Sequence, residues 1–456
     1  MKKTGHTNQI NMLSGTLIDK ILIFAMPLAA SSILQQLFNS ADVAVVGRFA
    51  GSQALAAVGG NSSVINLLIN LFVGISVGAN VVIANYIGQG KDNEANEIVH
   101  TVMATSVLSG IFLLALGLLV ARPILQLMNT PHDVIELAVL YLRIYFLGMP
   151  FIMVYNFGAA VLRSVGDTRR PLYCLIISGI INVCLNLFFV VGCGMSVEGV
   201  GIATVMSNSV SAGMVLYFLL HEEGTIRLDI RKISLNITYL LQIVRIGVPA
   251  GIQSMVFSLS NVCIQTAINS FGSSAAAGSA AAVNFEFFTY YVTSAFAQAT
   301  VTFVSQNYGA GKFDRCKKVF RLSMGMGIVM TGIMTTTFVL AREYAVRFYT
   351  VDPAAIDYAL KRICLVESLA FLPVTYEVAG AALRGMGYSM LPAILTIIGS
   401  CGFRIMWIYT VFDKVGSFEI LMKVYPVTWV LTGTMVITSY LTVRKKQERK
   451  YFENKI

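Results

Sequence analysis

The chain has 456 residues, of which 56% are hydrophobic and 12% charged, and it carries a formal net charge of +10 with a mean hydropathy of +0.72. Soluble globular domains hold about twice that share of charge, so the composition excludes an ordinary water-soluble enzyme and points to a chain built for a bilayer. The basic excess does not indicate nucleic acid, whose binders gather lysines and arginines on one soluble face.

No Asp, Glu, Lys or Arg occurs between Arg48 and Lys91, between Pro171 and Val197, or between Arg245 and Glu286. Each gap exceeds the roughly 20 residues that a helix needs to span hydrocarbon. These runs are continuous where barrel strands would alternate, so the class predicted is all-α integral membrane. Charged and Gly/Pro punctuation predicts twelve spans at roughly 17–47, 54–85, 97–121, 134–161, 170–192, 197–220, 238–270, 276–306, 317–340, 354–382, 390–412 and 419–443. The first apolar stretch is long, contains Pro27 and lacks a small-residue cleavage site, so it is expected to remain as a helix. With both termini cytoplasmic, Lys2, Lys3, Arg169, Arg170, Arg231, Lys232, Lys312, Arg315, Lys317, Lys318, Arg321 and the tail 444–450 all fall on the cytoplasmic side, as the positive-inside rule requires. The tail is expected to meet anionic lipid headgroups of the cell membrane. Seven cysteines form no C-x-x-C pair, and the four histidines form no cluster, so neither a metal cage nor a disulfide frame is expected.

The second half repeats the first at an offset of about 221 residues. Pro27 matches Pro249, Asn85-Tyr86 matches Asn307-Tyr308, Gly90-Lys91 matches Gly311-Lys312, Leu162-Arg163 matches Leu383-Arg384, Gly166 matches Gly387, and Pro171 matches Pro392. Six spans per repeat is an even number, so both repeats enter the membrane in the same orientation, as two parallel six-helix bundles related by a pseudo-two-fold axis along the membrane normal. The expected division is a bundle over 1–221, a cytoplasmic linker over 222–237, a second bundle over 238–443 and a basic tail over 444–456. Two such bundles create a cleft that rocking opens to either side, which is transporter geometry.

Asp-Val-x-x-x-Gly-Arg (Asp42 to Arg48), Asn85-Tyr86 and Leu-Arg-x-x-Gly-Asp (Leu162 to Asp167), in that order and on two six-helix halves, resemble the multidrug and toxic compound extrusion (MATE) family of efflux antiporters. The resemblance runs over essentially the whole chain. It implies a central cavity for large, mostly cationic organic compounds and export driven by inward Na⁺ or H⁺, with no other cofactor.

Spacing independently selects a polar face on helix one, Gln35, Asn39 and Asp42 at i, i+4 and i+7. Asn182 and Asn186 share a face of helix five, and Thr204, Asn208 and Ser211 share one of helix six. A carboxylate among amide and hydroxyl oxygens can replace the hydration shell of Na⁺, or, desolvated, carry a proton. In the family, an Asp on helix one, two polar residues four apart on helix five and a Thr on helix six form a cation site, which Asp42, Asn182, Asn186 and Thr204 match. Gln35, Asn39 and Asn208 are read as polar support. Some members carry a second acid where this chain has Asn186, so only Asp42 supplies negative charge. In the second repeat Asp42 maps to Ile264, Asn182 to Phe403 and Asn186 to Trp407. The scaffold therefore does not demand the cluster. The competing reading of Asp42 is a satisfied acid that pairs with Arg48 or caps a helix near the outer surface.

In the second half, Glu286 and Tyr290 on helix eight and Tyr376 and Glu377 on helix ten place acids among aromatic rings, which suits a lipophilic cation. The rival reading pairs these glutamates with Arg404 or another base. Pro27 lies about four turns before Asp42 and is the candidate kink of helix one. No H-E-x-x-H or Walker sequence is present, so no enzyme and no ATP-driven pump is expected. The leading expectation is a secondary active multidrug antiporter working by alternating access, as a functional monomer in lipid, on small organic substrates. The alternative is a lipid-linked oligosaccharide flippase of the same superfamily, although a pyrophosphate carrier should be basic at membrane depth and Asp42, Glu286 and Glu377 are acids.

Overall fold

A computed structural model describes residues 9–128, 130–350 and 352–453, and all of its regular structure is helical. The long helices are α1 (Ile18–Phe49), α2 (Ser52–Gly88) and α3 (Asp92–Leu127), followed by α4 (Ile135–Leu147), α5 (Met149–Ser164), α6 (Arg169–Asn186) and α7 (Val197–Leu220). The second half holds α8 (Ile237–Asn269), α9 (Ser273–Gly309), α10 (Phe313–Tyr349), α11 (Pro353–Leu365), α12 (Pro373–Gly385), α13 (Met390–Thr396) and α14 (Phe403–Trp407). Short α15 (Asp413–Val415) and α16 (Phe418–Met422) precede the last helix, α17 (Val424–Glu453).

Among the described residues, nine helices are long and apolar enough to cross a membrane, and two bent pairs raise the number to eleven. The bent pairs stand where the sequence predicts spans over 134–161 and 354–382, each broken near its middle. The chain turns by 46° between α4 and α5 and by 44° between the segment Pro353–Leu369 and α12. Pro150 and Pro373 stand at the first turns of the second members, where a proline needs no donor and blocks continuation from the preceding helix. The twelfth span is α9, which is 37 residues long but polar, with Ser279, Thr289, Thr293, Thr300 and Thr302 all fully buried. A helix enclosed by protein has no need of the apolarity that lipid contact imposes.

Packing divides the chain into two compact units, one containing Ala30–Gly251 and the other Met12–Ala29 with Ile252 onward. Both divisions fall inside a helix, two residues after Pro27 in α1 and two after Pro249 in α8. In the first unit, α3 packs on α4 and α5, and α6 packs on α7. There α2 meets the start of α8 through glycines: a Cβ on Gly78 would lie 2.4 Å from the Ile243 carbonyl, and one on Gly74 2.3 Å from the Gly251 nitrogen. Gly74-x3-Gly78 facing Gly247-x3-Gly251 lets the backbones approach as small-residue repeats do in membranes. The stretch Gly74-Ile75-Ser76-Val77-Gly78 also has the spacing of a nucleophile elbow. It sits in mid-helix, however, and Ser76 spends its hydroxyl on the Val73 carbonyl at 2.7 Å, so it is a packing device.

In the second unit, α9 is flanked by α10, α11 and α12, and α17 packs on α12. The matched glycines after helices α5 and α12, Gly166 and Gly387, hold φ of 90° and 88°. Only the first of these turns carries an acid after it: Asp167 accepts from the Arg169 and Arg170 main-chain nitrogens at 3.1 and 3.0 Å and starts α6. Arg170 pairs with Asp167 and reaches Glu222 beyond α7 at 2.5 Å.

Candidate functional site

Helix α1 brings a half-buried Asp42 to α6, which carries Asn182 (6% exposed) and Asn186 (0%) one turn apart. The Asn186 amide donates to the Asp42 carboxylate at 2.5 Å and to Asn182 Oδ1 at 3.3 Å. Among the described residues no base lies within ion-pair distance of Asp42, so the pairing with Arg48 is absent. Asn186 Oδ1 is buried without a hydrogen-bond partner. Immediately after Asn186, the helix loosens into a π-helical stretch, Leu187–Gly192, a geometry that recurs at functional positions.

On α7, Thr204 donates to the Val200 carbonyl at 2.9 Å and Asn208 to the Thr204 carbonyl at 2.8 Å. Both side chains are thus oriented by their own helix, and α7 packs on α6. Gln35 and Asn39 are exposed on α1. Two tyrosines that sequence reasoning passed over, Tyr141 and Tyr145 on α4, stand within coulombic reach of Asp42, with ring centres 6.1 Å apart. Their i, i+4 spacing in an apolar span was the available signal.

The residues present fit a small hard cation. A carboxylate oxygen, the unspent Asn186 Oδ1 and Asn182 Oδ1 are the donor types that Na⁺ takes, and the same carboxylate can take a proton; the Thr204 hydroxyl, bonded within α7, is of the same type.

The second unit is rich in buried charge. Glu286 on α9 receives Arg362 on α11 through both oxygens, at 2.6 and 3.0 Å. Glu377 on α12 lies 3.8 Å from Arg384, which also donates to Gln253 at 3.2 Å. Tyr376 is 2% exposed, whereas Tyr290 is 40% exposed. Glu286 thus has its oxygens committed to Arg362, and Glu377, beside Tyr290, is the less tightly held acid. Arg362 and a further acid, Glu367, were not singled out from the sequence. Glu367 is 0% exposed, and its Oε1 accepts from Thr289 at 2.6 Å.

Twelve spans in two units, with a membrane-depth carboxylate in the first held by the Asn186 carboxamide, define a multi-pass membrane transporter rather than an enzyme. The MatE family model matches residues 27–188 and again 249–410, one match per repeat, and the chain belongs to that family. It is 26% identical over 436 residues to the Probable multidrug resistance protein YoeA of Bacillus subtilis, covering 93% of this chain and 94% of that one. It is 25% identical over 385 residues to the Probable multidrug resistance protein NorM of Thermotoga maritima, covering 83% and 82%. A solved structure described as the outward-facing conformation of a multidrug resistance MATE family transporter of the MOP superfamily superposes with a TM-score of 0.91 at 19% identity, over 97% of this chain and 99% of that one. That likeness carries the fold: twelve helices in two six-helix bundles.

Proposed function

We propose that the protein is a secondary active antiporter of the cell membrane that exports lipophilic, mostly cationic organic compounds in exchange for Na⁺ or H⁺ by alternating access. One observation carries the coupling: Asp42 is bonded by the neutral Asn186 and, among the described residues, has no base beside it, while the second repeat builds the same helices with Ile264, Phe403 and Trp407. A carboxylate at membrane depth is costly unless something positive reaches it. A hydrogen bond from an amide orients that charge without cancelling it, which leaves an exchangeable cation to do so. Asp42, Asn182, Asn186 and Thr204 would hold Na⁺, and Asp42 alone would hold the proton. On the cargo side, Glu377 with Tyr290 and Tyr376 supplies charge and aromatic area. Both termini face the cytoplasm in this scheme, the tail lies on anionic lipid, and one chain is the working unit.

The test is counterflow by the purified full chain in proteoliposomes, with Na⁺ and pH gradients imposed separately. Asp42→Asn should abolish gradient-driven export while leaving expression and elution profile intact. Near-normal export by that variant, or a requirement for ATP, would overturn the proposal.

A further inference from the structure

The two repeats bring equivalent helices together but load the seam with opposite charge. In the first unit, α1 carries Gln35, Asn39 and Asp42, and α6 answers with Asn186. At the repeat-equivalent positions α8 carries Phe257, Asn261 and Ile264, and α14 presents Arg404 where α6 has Val183. Arg404 is 1% exposed. One of its Nη atoms donates to Asn261 Oδ1 at 3.1 Å. The guanidinium carbon lies 4.8 Å from the ring centre of Phe257 and 4.7 Å from that of Tyr425. Its Nε is buried with no hydrogen-bond partner.

The other two buried arginines of this unit each face a glutamate, Arg362 toward Glu286 and Arg384 toward Glu377. Among the described residues, no carboxylate lies within 4 Å of Arg404. The chain around it departs from regular helix on both sides, with π-helical stretches at Ile397–Gly402 and Ile408–Phe412. Among the described residues of the first unit one such stretch occurs, directly after Asn186.

We infer that Arg404 is the receiving group for an oxyanion, the carboxylate or phosphate of an organic cargo. A guanidinium taken out of water keeps an unmet demand for negative charge, and the two rings within 5 Å of it, Phe257 and Tyr425, answer only part of that demand. One Nη is spent on Asn261, and Nε is left buried and unspent. The edge formed by Nε and an Nη is a two-pronged donor whose geometry matches carboxylate and phosphate oxygens. The second unit therefore accepts anionic or zwitterionic compounds in addition to cations. This deepens the antiporter reading and rests on it for the identity of the ligand as cargo.

The test uses two dyes that share a xanthene ring system: fluorescein, an anionic carboxylate, and rhodamine 6G, a cationic ester. Each is titrated by fluorescence anisotropy against the purified full chain in phosphatidylcholine nanodiscs, so that the lipid contributes no net anion. Wild type should bind fluorescein saturably, and Arg404→Gln should weaken that binding by about tenfold or more while rhodamine 6G changes less than about twofold. Should Arg404→Gln fail to fold, Arg404→Lys carries the test, because lysine keeps the charge but loses the two-pronged edge, and fluorescein affinity should still fall several-fold. Wild-type fluorescein affinity in either variant, or no saturable fluorescein binding by wild type, overturns the inference. Export is measured separately in proteoliposomes. Failure to export either dye, with Arg404-dependent fluorescein binding intact, sinks the antiporter reading and leaves the oxyanion site standing.

Discussion

The carboxamide of Asn186 on α6 is bonded to the carboxylate of Asp42 on α1, and its own oxygen is left over, buried and unpaired. Replacing Asn186 with Asp puts a second negative charge against the first. In Asn186→Asp the two acids repel until a cation bridges them, so the melting temperature should fall in KCl and recover in NaCl. A site occupied at about 100 times its dissociation constant gains about 2.7 kcal/mol. A melting curve of the variant that ignores the choice of salt would remove Na⁺ from the donor set.

Glu286 and Arg362 form a bidentate pair in which the arginine is 3% exposed. Glu286→Gln strands a buried guanidinium, which costs about 3 kcal/mol or more. Adding Arg362→Met to Glu286→Gln should restore most of the lost thermal stability, and export of cationic dyes should return with it. If the double variant stays inactive although stable, Glu286 meets cargo directly.

Gly78 leaves no room for a methyl group against the Ile243 carbonyl, 2.4 Å from where a Cβ would sit. Gly78→Ala should therefore destabilise by about 1–3 kcal/mol through overpacking, read as an earlier thermal transition. Gly213→Ala, where nothing lies within 4 Å of the added carbon among the described residues, is the control and should leave the transition unmoved.

Pro27 interrupts α1 two residues before the chain passes from one unit to the other. Pro27→Ala restores a helical hydrogen bond and stiffens the helix that carries Asp42. Turnover should drop on the order of fivefold with dye affinity maintained, because a conformational step and not binding is affected. Unchanged turnover would show that the kink is only tolerated.

Helices, repeat and polar stripes were legible because each is a periodicity that the sequence displays. Spacing showed a polar face on each of the two helices, and it was the family resemblance that joined Asp42 to Asn186. The bends at Pro150 and Pro373 were less visible, because the apolar runs continue through them. The polar α9 was readable as a span by its length and its single charge, Glu286, yet a hydropathy window discounts it. Arg362 and Glu367 escaped attention, and Arg404 was considered only as a partner for the glutamates, for another reason: a buried charge is defined by its partner, and those partners lie on helices far away in sequence. The π-helical stretches leave no composition signature, and they shift the helical register so that a wheel drawn through Asn182 and Asn186 fails beyond residue 187.

The contact boundaries within α1 and α8 have a consequence for any attempt to produce half-molecules. Asn307 and Arg315 hold the Met12 carbonyl, and Arg315 also binds those of Ser14 and Gly15, while Asn96 holds the carbonyls of Thr225 and Arg227. A cut in the linker would leave each fragment short of a strap and several helical turns that its partner owns. Neither fragment should be stable by itself, and activity should reappear only when both are synthesised in the same cell and complement one another.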